Sequence, residues 1–209
     1  MKGILLTVAG SLLLAIPLHG ADAEAGFKTI FDGTSFAGWK TATEHAGTWK
    51  IEDGALVAHG ERCHIYYVGE EKPFKDFELK VDVMTEPGSN GGIYFHTRYQ
   101  EEGWPKYGFE SQVNVSHTDW IKTGSLYGVV NVGLTTSQDN KWWTQHIIVQ
   151  GNRVTVKVDG KTVLEYNEPP GARAGADYTR KIDGGTFALQ AHDPKSIIRY
   201  KNIRVKRLD

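Results

Sequence analysis

Three side chains with proton-transferring or charged groups recur at every second position of the segment GGIYFHTRY, Gly91 to Tyr99. The segment is rich in strand-forming residues, and successive side chains of a strand point to opposite faces. Tyr94, His96 and Arg98 therefore fall on one face of a predicted strand. A phenol, an imidazole and a guanidinium can together bind a polar ligand, move a proton and stabilise a developing negative charge.

Two further predicted strands carry polar rows of the same kind. In FESQVNV the row opposite the apolar residues is Glu110, Gln112 and Asn114, and in FALQAH it contains Gln190 and His192. If these strands belong to one sheet, their polar rows line a common surface. The carboxylate and the imidazole supply acid–base groups, and the amides supply donors and acceptors for hydroxyls. We therefore predict a ligand groove on this face.

A solvated sheet face is the competing explanation, because antiparallel sheets commonly expose one face to water. The strand FELKVDVMT has the composition of such a face, since Glu78, Lys80 and Asp82 alternate with apolar residues. In the other rows most of the residues are Tyr, His, Gln and Asn. This difference in composition favours the groove.

Aromatic residues are frequent near these strands, and flat rings beside amides suit sugars, which have apolar C–H faces and hydroxyl rims. Trp142 and Trp143 point to opposite sides if they lie on a strand, so at least one is available to a ligand. Two connections, Arg98 to Gly108 with Trp104 and Asn167 to Gly185, either wall the groove or are plain surface loops. The second exceeds the roughly 12 to 15 residues beyond which unstructured loops tend to be functional or mobile.

Short alternating segments between Gly, Asp and Asn turns fill the rest of the chain. TWKIEDGALVAH predicts a hairpin that turns at Asp53-Gly54, and RVTVKVDGKTVLEY predicts a hairpin that turns at Asp159-Gly160. No long amphipathic helical pattern follows the N-terminal apolar run. The spacing of these segments predicts an all-β sandwich.

The composition is that of a globular protein, since 40% of the 209 residues are hydrophobic, 23% are charged and the formal net charge is -1. No basic tract stands out, so nucleic acid is not an expected partner. Lys2, an apolar run from Ile4 to Ile16 and a small-residue end have the layout of a cleavable export signal. The run is shorter than the roughly 20 apolar residues of a membrane span. We predict a signal peptide at 1–23, a single domain at 24–209, no membrane span and a periplasmic or secreted location.

A set of segments, taken in chain order, resembles the 3-keto-disaccharide hydrolase domain family: FDGTSFAGW, WKIEDGALV, NGGIYFHTR, GFESQVN, TGSLYG, NRVTVKVDGKTV, and ALQAHD followed by IRYKNIRVK. The resemblance implies an all-β fold, a concanavalin A-like jelly-roll sandwich of two antiparallel sheets. It also implies cleavage of 3-keto-glycosides or 3-keto-disaccharides. In that chemistry a base removes the C2 proton, which the neighbouring ketone acidifies, the C1 substituent is eliminated, and water then adds.

Some positions depart from the family pattern. The family often has arginine where His96 stands, although Arg98 follows two residues later on the same predicted face. An asparagine commonly follows the tryptophan of the segment matched by KWWTQH, where this chain has Thr144. The acidic residue that often follows the Glu-x-Gln strand is replaced in NVS. The family's functional roles therefore transfer more directly to the FESQVN strand and His192 than to His96 or Trp143.

The resemblance and the shared face together assign roles. The predicted catalytic residues are Glu110, His192 and Arg98, with Glu110 or His192 as the base and Arg98 holding the enolate, and with His96 as a second candidate for the enolate contact. The predicted substrate-binding residues are Tyr94, His96, Gln112, Gln190, Trp142 and Trp143. A second possibility is that a divalent ion, held by His96, Glu110 and His192, replaces the arginine at the enolate oxygen, because imidazole and carboxylate are both fair ligands.

Two other functions also stay open, each with an oligosaccharide or glycoside as partner. A conventional glycosidase needs two carboxyl groups that flank the scissile bond. Asp193, Glu101 or Glu102 would have to supply the second from a loop. A non-catalytic carbohydrate-binding module would use aromatic and amide side chains without needing Glu110 and His192 together, because the same fold serves binding proteins and enzymes.

Overall fold

The structure is a computed structural model that describes residues 24–209. The predicted signal peptide lies outside these residues. Within them, no helix has the length and apolar character needed to cross a membrane. The strands are β1 (Lys28–Thr29), β2 (Trp39–Thr41), β3 (Trp49–Glu52), β4 (Ala55–His59), β5 (Cys63–Tyr67), β6 (Phe77–Thr85), β7 (Asn90–Thr97), β8 (Phe109–Asn114), β9 (Trp143–Gln150), β10 (Arg153–Val158), β11 (Lys161–Asn167), β12 (Thr186–Ala191) and β13 (Ile197–Arg207). A single 3-10 turn, Ala46–Thr48, precedes β3 within this range.

The strands form two sheets in which every named pair is antiparallel. The larger sheet has the order β11-β10-β9-β6-β13-β4-β3, with β1 also paired to β13, and the smaller has the order β2-β5-β12-β7-β8. Some neighbours in these sheets are distant in sequence, as in β6 beside β13, and others are consecutive hairpin strands, as in β7 beside β8. The predicted all-β sandwich of two antiparallel sheets is confirmed.

Both predicted hairpins turn where the sequence places them. Glu52 pairs with Ala55 across Asp53-Gly54, and β10 pairs with β11 across Asp159-Gly160. Asp53 and Gly54 have φ angles of 49° and 74°, and Asp159 and Gly160 have 48° and 76°. Two successive left-handed residues match the right-handed twist of the flanking strands, which is why Asp-Gly pairs are favoured in such turns.

The core lies between the two sheets and is formed by the apolar rows that the alternation predicts. Phe77, at the start of β6, packs its ring 5.0 Å from that of Phe187 on β12 and 6.0 Å from that of Phe95 on β7. Because side chains alternate along a strand, the opposite rows of β7, β8 and β12 must face away from the core. The outer face of the smaller sheet therefore carries the polar rows.

Strand register brings these polar rows side by side. Tyr94 on β7 lies opposite Glu110 on β8 and opposite Ala188 on β12. Gln190, two residues beyond Ala188 on the same face, lies opposite His64 on β5. Four strands thus place a carboxyl, a phenol, an amide and an imidazole within one patch.

Candidate active site

A cavity of about 320 Å³ lies on the outer face of the smaller sheet. Its floor comes from β7, β8 and β12, and its walls come from three loops that follow β7, β8 and β11. The lining residues are Asn90, Tyr94, Trp104, Pro105, Gly108, Glu110, Gln112, Tyr127, Tyr178, Arg180, Gln190 and His192. This volume is at the lower end of the range for small-molecule sites.

Glu110 is the centre of the hydrogen-bond network on the cavity floor. The Tyr94 hydroxyl donates to Glu110 Oε2 at 2.8 Å, and Gln190 Nε2 donates to Glu110 Oε1 at 3.1 Å and to the Tyr94 hydroxyl at 3.0 Å. In the amide orientation that satisfies its neighbours, Gln112 donates to Glu110 Oε1 at 3.1 Å. All of these donors are neutral, so they orient the carboxyl without neutralising its charge.

The surroundings of Glu110 set its acidity. Burial raises the pKa of Glu110 to about 7, although the hydrogen bonds from Tyr94 and Gln190 and the positive charge of Arg180 act in the opposite direction. Burial also raises the pKa of Tyr94 well above its ordinary value, and the Glu110 charge adds to this, so Tyr94 stays a donor. A carboxyl with a pKa near neutrality is suited to both accepting and releasing a proton.

The Gly91-Gly92 pair makes room for this carboxyl. A Cβ atom at Gly92 would lie 2.8 Å from Glu110 Cγ and closer still to Oε1, and one at Gly91 would lie 2.9 Å from the Tyr200 hydroxyl on the core side. Real Cβ contacts at such distances do not occur without a shift of the neighbour. Glycine at 92 therefore lets the Glu110 side chain lie flat over β7, within reach of Tyr94 and Gln190.

The loop after β7 supplies an aromatic wall through Trp104. The centroid of its indole lies 5.2 Å from that of the His192 ring and 5.7 Å from that of the His64 ring. The Arg62 guanidinium carbon lies 5.1 Å from the indole centroid, which is a cation–π contact. Arg62 is held in turn by Glu44 at 2.9 Å. Trp104 is thus fixed by contacts with three side chains, which suits a rigid platform.

The loop after β11 supplies the cation of the cavity. Arg180 sits against Gly128, with its Nη1 donating to the Gly128 carbonyl at 3.4 Å. This loop is tied to the Trp104 loop, because Thr179 N donates to the Lys106 carbonyl at 2.8 Å and Gly108 N donates to Thr179 Oγ1 at 2.9 Å. The two connections are therefore joined to each other and form walls of the cavity, so they are not plain surface loops.

His192 forms a hydrogen-bonded pair with its neighbour at the edge of the cavity. Its Nδ1 lies 2.8 Å from Asp193 Oδ2, so Nδ1 carries the proton and Nε2 is left to face the cavity. Asp193 also accepts from Ser196 Oγ at 2.9 Å. A carboxylate on one ring nitrogen orients the imidazole and fixes its tautomer.

The structure brings together most of the predicted polar face. Five of the side chains that the sequence assigned to a common surface line the cavity: Tyr94, Glu110, Gln112, Gln190 and His192. Their placement confirms that the three polar rows share one sheet face. The roles assigned to them stay predictions.

The expectation that His96 shares the face of Tyr94 is wrong. His96 has φ 55°, and the pairing of β7 with β12 shifts register between Phe187 and Thr186. This bulge breaks the alternation and turns the ring inwards, where it lies 5.6 Å from the Phe77 ring and its Nε2 lies 2.9 Å from the Lys75 carbonyl. His96 is buried outside the cavity lining, because one irregular residue rotates the side chains that follow.

Arg98 also lies outside the cavity, contrary to the predicted row. It follows the end of β7, stacks its guanidinium 4.4 Å from the centroid of the Tyr107 ring and reaches Asp183 at 3.4 Å. The bulge at His96 and the end of the strand remove it from the polar face. Arg180, and not Arg98, is the arginine that lines the cavity.

Trp143 begins a strand of the larger sheet and Trp142 directly precedes it, so neither lines the cavity, contrary to their predicted place at the ligand site. Trp143 is 3% exposed and starts β9, whose side chains pack in the core, and Trp142 is 39% exposed beneath Lys201. They do point to opposite sides, as the alternation predicts. The tryptophan of the cavity is Trp104.

Several cavity residues were not assigned by sequence reasoning. Asn90 continues the row of Tyr94 and Gly92 back along β7, so alternation could have identified it. Arg180 lies in a loop without periodicity, and no sequence signal places it. His64, which lies beside the cavity without lining it, is on the face of β5 next to Gln190, where burial lowers its pKa to about 3 and neither ring nitrogen has a partner among the described residues. It packs beneath Trp104 as a neutral ring.

The metal site that the sequence left open is not assembled. His96 lies outside the cavity that Glu110 and His192 line, so the three side chains do not form one ligand set. Within residues 24–209, no group of three or more His, Cys, Asp or Glu side chains is placed to hold a metal ion.

The sandwich agrees with comparisons of known structures. A protein of Parabacteroides distasonis, provisionally classed as a glycosyl hydrolase, superimposes with a TM-score of 0.71 at 24% identity, over 88% of this chain and 94% of that chain. A non-specific endo-beta-1,3(4)-glucanase of family GH16 superimposes with a TM-score of 0.58 at 12% identity, over 90% and 93% of the two chains. The fold is therefore a concanavalin A-like jelly roll, as predicted.

Sequence comparison then identifies the family. Residues 26–206 match the 3-keto-alpha-glucoside-1,2-lyase-like domain, and the chain belongs to this family. A stretch of 78 residues is 32% identical to the 3-keto-disaccharide hydrolase of Bacteroides thetaiotaomicron, covering 34% of this chain and 27% of that protein. The matched stretch thus spans about a quarter of the relative's length. The resemblance that the sequence motifs indicate is confirmed.

Proposed function

We propose that this protein cleaves 3-keto-glycosides by elimination, with Glu110 as the base. The observation that carries the proposal is a single half-buried carboxyl with a pKa raised to about 7, held by neutral donors at the floor of the cavity. A C2 proton next to a ketone is acidic enough for such a base. Family membership supports the choice of a 3-keto sugar over an unoxidised one.

The first step moves the C2 proton to Glu110. The ionised carboxylate removes the proton, and the electron pair of the C–H bond forms the C2–C3 double bond while the C3 oxygen becomes an enolate. The Arg180 guanidinium, which lines the same cavity, stabilises that oxygen by its charge. Gln112 and Gln190 fix Glu110 and offer their remaining polar groups to sugar hydroxyls.

The second step expels the C1 oxygen. The enolate returns its electron pair, a C1–C2 double bond forms, and the bond from C1 to the leaving oxygen breaks. His192, oriented by Asp193 at 2.8 Å, gives a proton to that oxygen. Water then adds its hydroxyl group to C1 and passes its remaining proton to His192, while the proton on Glu110 returns to C2, which completes a hydrolysis.

A conventional glycosidase needs a second carboxyl, and the cavity favours the single-base mechanism. Among the described residues that line it, Glu110 is the only carboxylic acid. Asp193 is engaged by His192 and Ser196. Glu101 and Glu102 belong to the Trp104 loop but are not lining residues.

The test compares a 3-keto-disaccharide with the same disaccharide left unoxidised. Released sugar and enone absorbance are followed for the protein with and without a chelator. We expect cleavage of the keto sugar alone, with no effect of the chelator. Cleavage of the unoxidised sugar would contradict the elimination mechanism, and binding of both sugars without cleavage would make the protein a carbohydrate-binding module.

We also propose that the protein is exported to the periplasm or beyond. Support comes from the basic, apolar and small-residue order of residues 1–23. Mass spectrometry of the protein from fractionated cells tests this, with a mature N-terminus near Glu24 in the exported fraction as the expected result. A full-length chain in the cytoplasmic fraction alone would contradict it.

A further inference from the structure

We propose that a second cavity, beside the first, binds the leaving group, and that this leaving group is a hydroxyl-rich ring such as a second sugar. This inference rests on the proposed function, because it places the scissile bond between the two cavities. The second cavity has a volume of about 500 Å³ and is lined by Gly88 and by the segments 116–118 and 193–195. It therefore has room for a ring of the size that the first cavity holds.

Two histidines stand between the cavities. His192 lines the first and His117 lines the second, and their ring centroids are 5.8 Å apart. Asp193, which orients His192, lines the second cavity as well. Asn90 lines the first cavity, and its Nδ2 lies 3.4 Å from His117 Nδ1. The two cavities therefore meet at this histidine pair.

This arrangement fixes which sugar enters which cavity. Glu110 and Arg180 line the first cavity, so the ring that carries the C2 proton and the C3 ketone must lie there. His192 is the proposed donor to the C1 oxygen, so that oxygen lies at the boundary. Whatever is attached to the far side of the oxygen extends towards His117 and the segments that follow it.

The chemistry of the second cavity suits hydroxyls. Asp119 N donates to His117 Nδ1 at 3.0 Å, so this nitrogen is an acceptor and the proton of the neutral ring is on Nε2. Burial lowers the pKa of His117, and the neighbouring His192 adds to this, which keeps His117 neutral. Its N–H, the Thr118 hydroxyl and the Lys195 ammonium are hydrogen-bond donors, and Pro194 offers an apolar surface to a sugar C–H face.

The walls of this cavity are anchored. Ser116 Oγ accepts from Gly88 N at 2.8 Å and donates to Asp139 Oδ2 at 2.5 Å, which joins the two sides. Lys195 N donates to Asp193 Oδ1 at 2.8 Å. The lining residues are thus positioned by their backbone, as a preformed subsite requires.

The test uses two substrates with one keto sugar and different leaving groups. A 3-keto-disaccharide fills both cavities, whereas a methyl 3-keto-glucoside leaves the second one empty. Thr118→Phe fills the second cavity from an exposed position. We expect it to lower the ratio of kcat/KM for the disaccharide to kcat/KM for the methyl glycoside about tenfold, mainly through KM. Lys195→Ala should lower the same ratio by a smaller factor.

Matched controls lie on the far sheet. Thr162→Phe and Lys161→Ala are also exposed substitutions, on β11 of the larger sheet, and should keep the wild-type ratio. Melting curves of all four variants show whether each is folded. If Thr118→Phe leaves the ratio unchanged, the second cavity does not bind the leaving group. Cleavage of both substrates by the wild-type protein would still support the proposed function in that case. Wild-type cleavage of neither substrate overturns the proposed function, and the subsite with it.

Discussion

The outer faces of the two sheets follow the same alternation but differ in how their carboxyl groups are partnered. On β6 of the larger sheet, Glu78 lies 3.7 Å from Lys206 Nζ, and Asp82 lies 3.6 Å from Arg204 Nη1. On β8 of the smaller sheet, Glu110 accepts hydrogen bonds from a phenol and from amides. The first face carries ion pairs at the surface, and the second carries a carboxyl enclosed by neutral groups.

This difference determines what the carboxyl groups can do. Glu24, beside β6, accepts a hydrogen bond from Lys80, which lowers its pKa and keeps it charged. Glu110 has no cation at hydrogen-bond distance among the described residues, and burial raises its pKa to about 7. Surface ion pairs contribute about 1 kcal/mol or less to stability. Alternation alone thus cannot separate a solvated face from a reactive one, whereas the identity of the partners can.

The largest expected effect comes from exchanging a carboxyl for an amide on each face. Glu110→Gln removes the proposed base, so kcat on a 3-keto-disaccharide should fall about 10²- to 10⁴-fold, the usual contribution of a general base. Glu78→Gln on β6 is the matched change and should leave kcat within about twofold. Steady-state kinetics of both variants, with melting curves, make the measurement. An equal loss in the two variants would show that the contrast between the faces has no catalytic meaning.

The next effect concerns the space that Glu110 occupies. Gly92→Ala places a Cβ 2.8 Å from Glu110 Cγ, so the carboxyl must move away from Tyr94 and Gln190. A misplacement of about 1 Å can cost about 10²-fold in rate, and we expect a loss of that order in kcat. Gly47→Ala, where a Cβ meets nothing within 4 Å, is the control. If Gly92→Ala retains full activity, the exact position of the carboxyl is not required.

A smaller effect separates the two arginines. Arg180→Ala should lower kcat/KM about 10- to 100-fold, because it removes the cation proposed to stabilise the enolate. The loss should not exceed the usual loss for an oxyanion donor, since Arg180 is exposed and solvent partly screens its charge. Arg98→Ala, which removes a cation outside the cavity, should change kcat/KM less than about twofold. Kinetics on the 3-keto-disaccharide compare the two variants. The reverse order of effects would restore Arg98 as the enolate contact.

Regular segments of the fold were predictable because alternation and turn chemistry are local. The FELKVDVMT strand, the two Asp-Gly hairpins and the polar rows of β7, β8 and β12 follow from side-chain spacing and from residues that favour left-handed turns. His96 shows where this reasoning stops. Its left-handed backbone at a register shift is imposed by pairing with β12, a distant segment, and nothing in GGIYFHTRY indicates it.

The site was predictable only where it is built on strands. Glu110 and Gln190 could be placed on a common face from their own segments. Arg180 reaches the cavity through a loop that is fixed by contacts such as Thr179 with Lys106, which are long-range and aperiodic. Trp142 and Trp143 were attractive as sugar platforms by residue type, but sheet topology assigns β9 to the other side of the sandwich.

The last prediction sharpens the contrast through pH. Because the carboxylate of Glu110 is the active form and its pKa is about 7, the rising limb of kcat/KM against pH should have its midpoint near pH 7. The charge of Arg180 lowers that pKa, so in Arg180→Ala the midpoint of the rising limb should move above 7. Lys80→Ala, which removes a cation from the other face, should leave the midpoint in place. A wild-type midpoint near the ordinary glutamate value of about 4.3 would mean that the carboxyl is hydrated like those on the larger sheet.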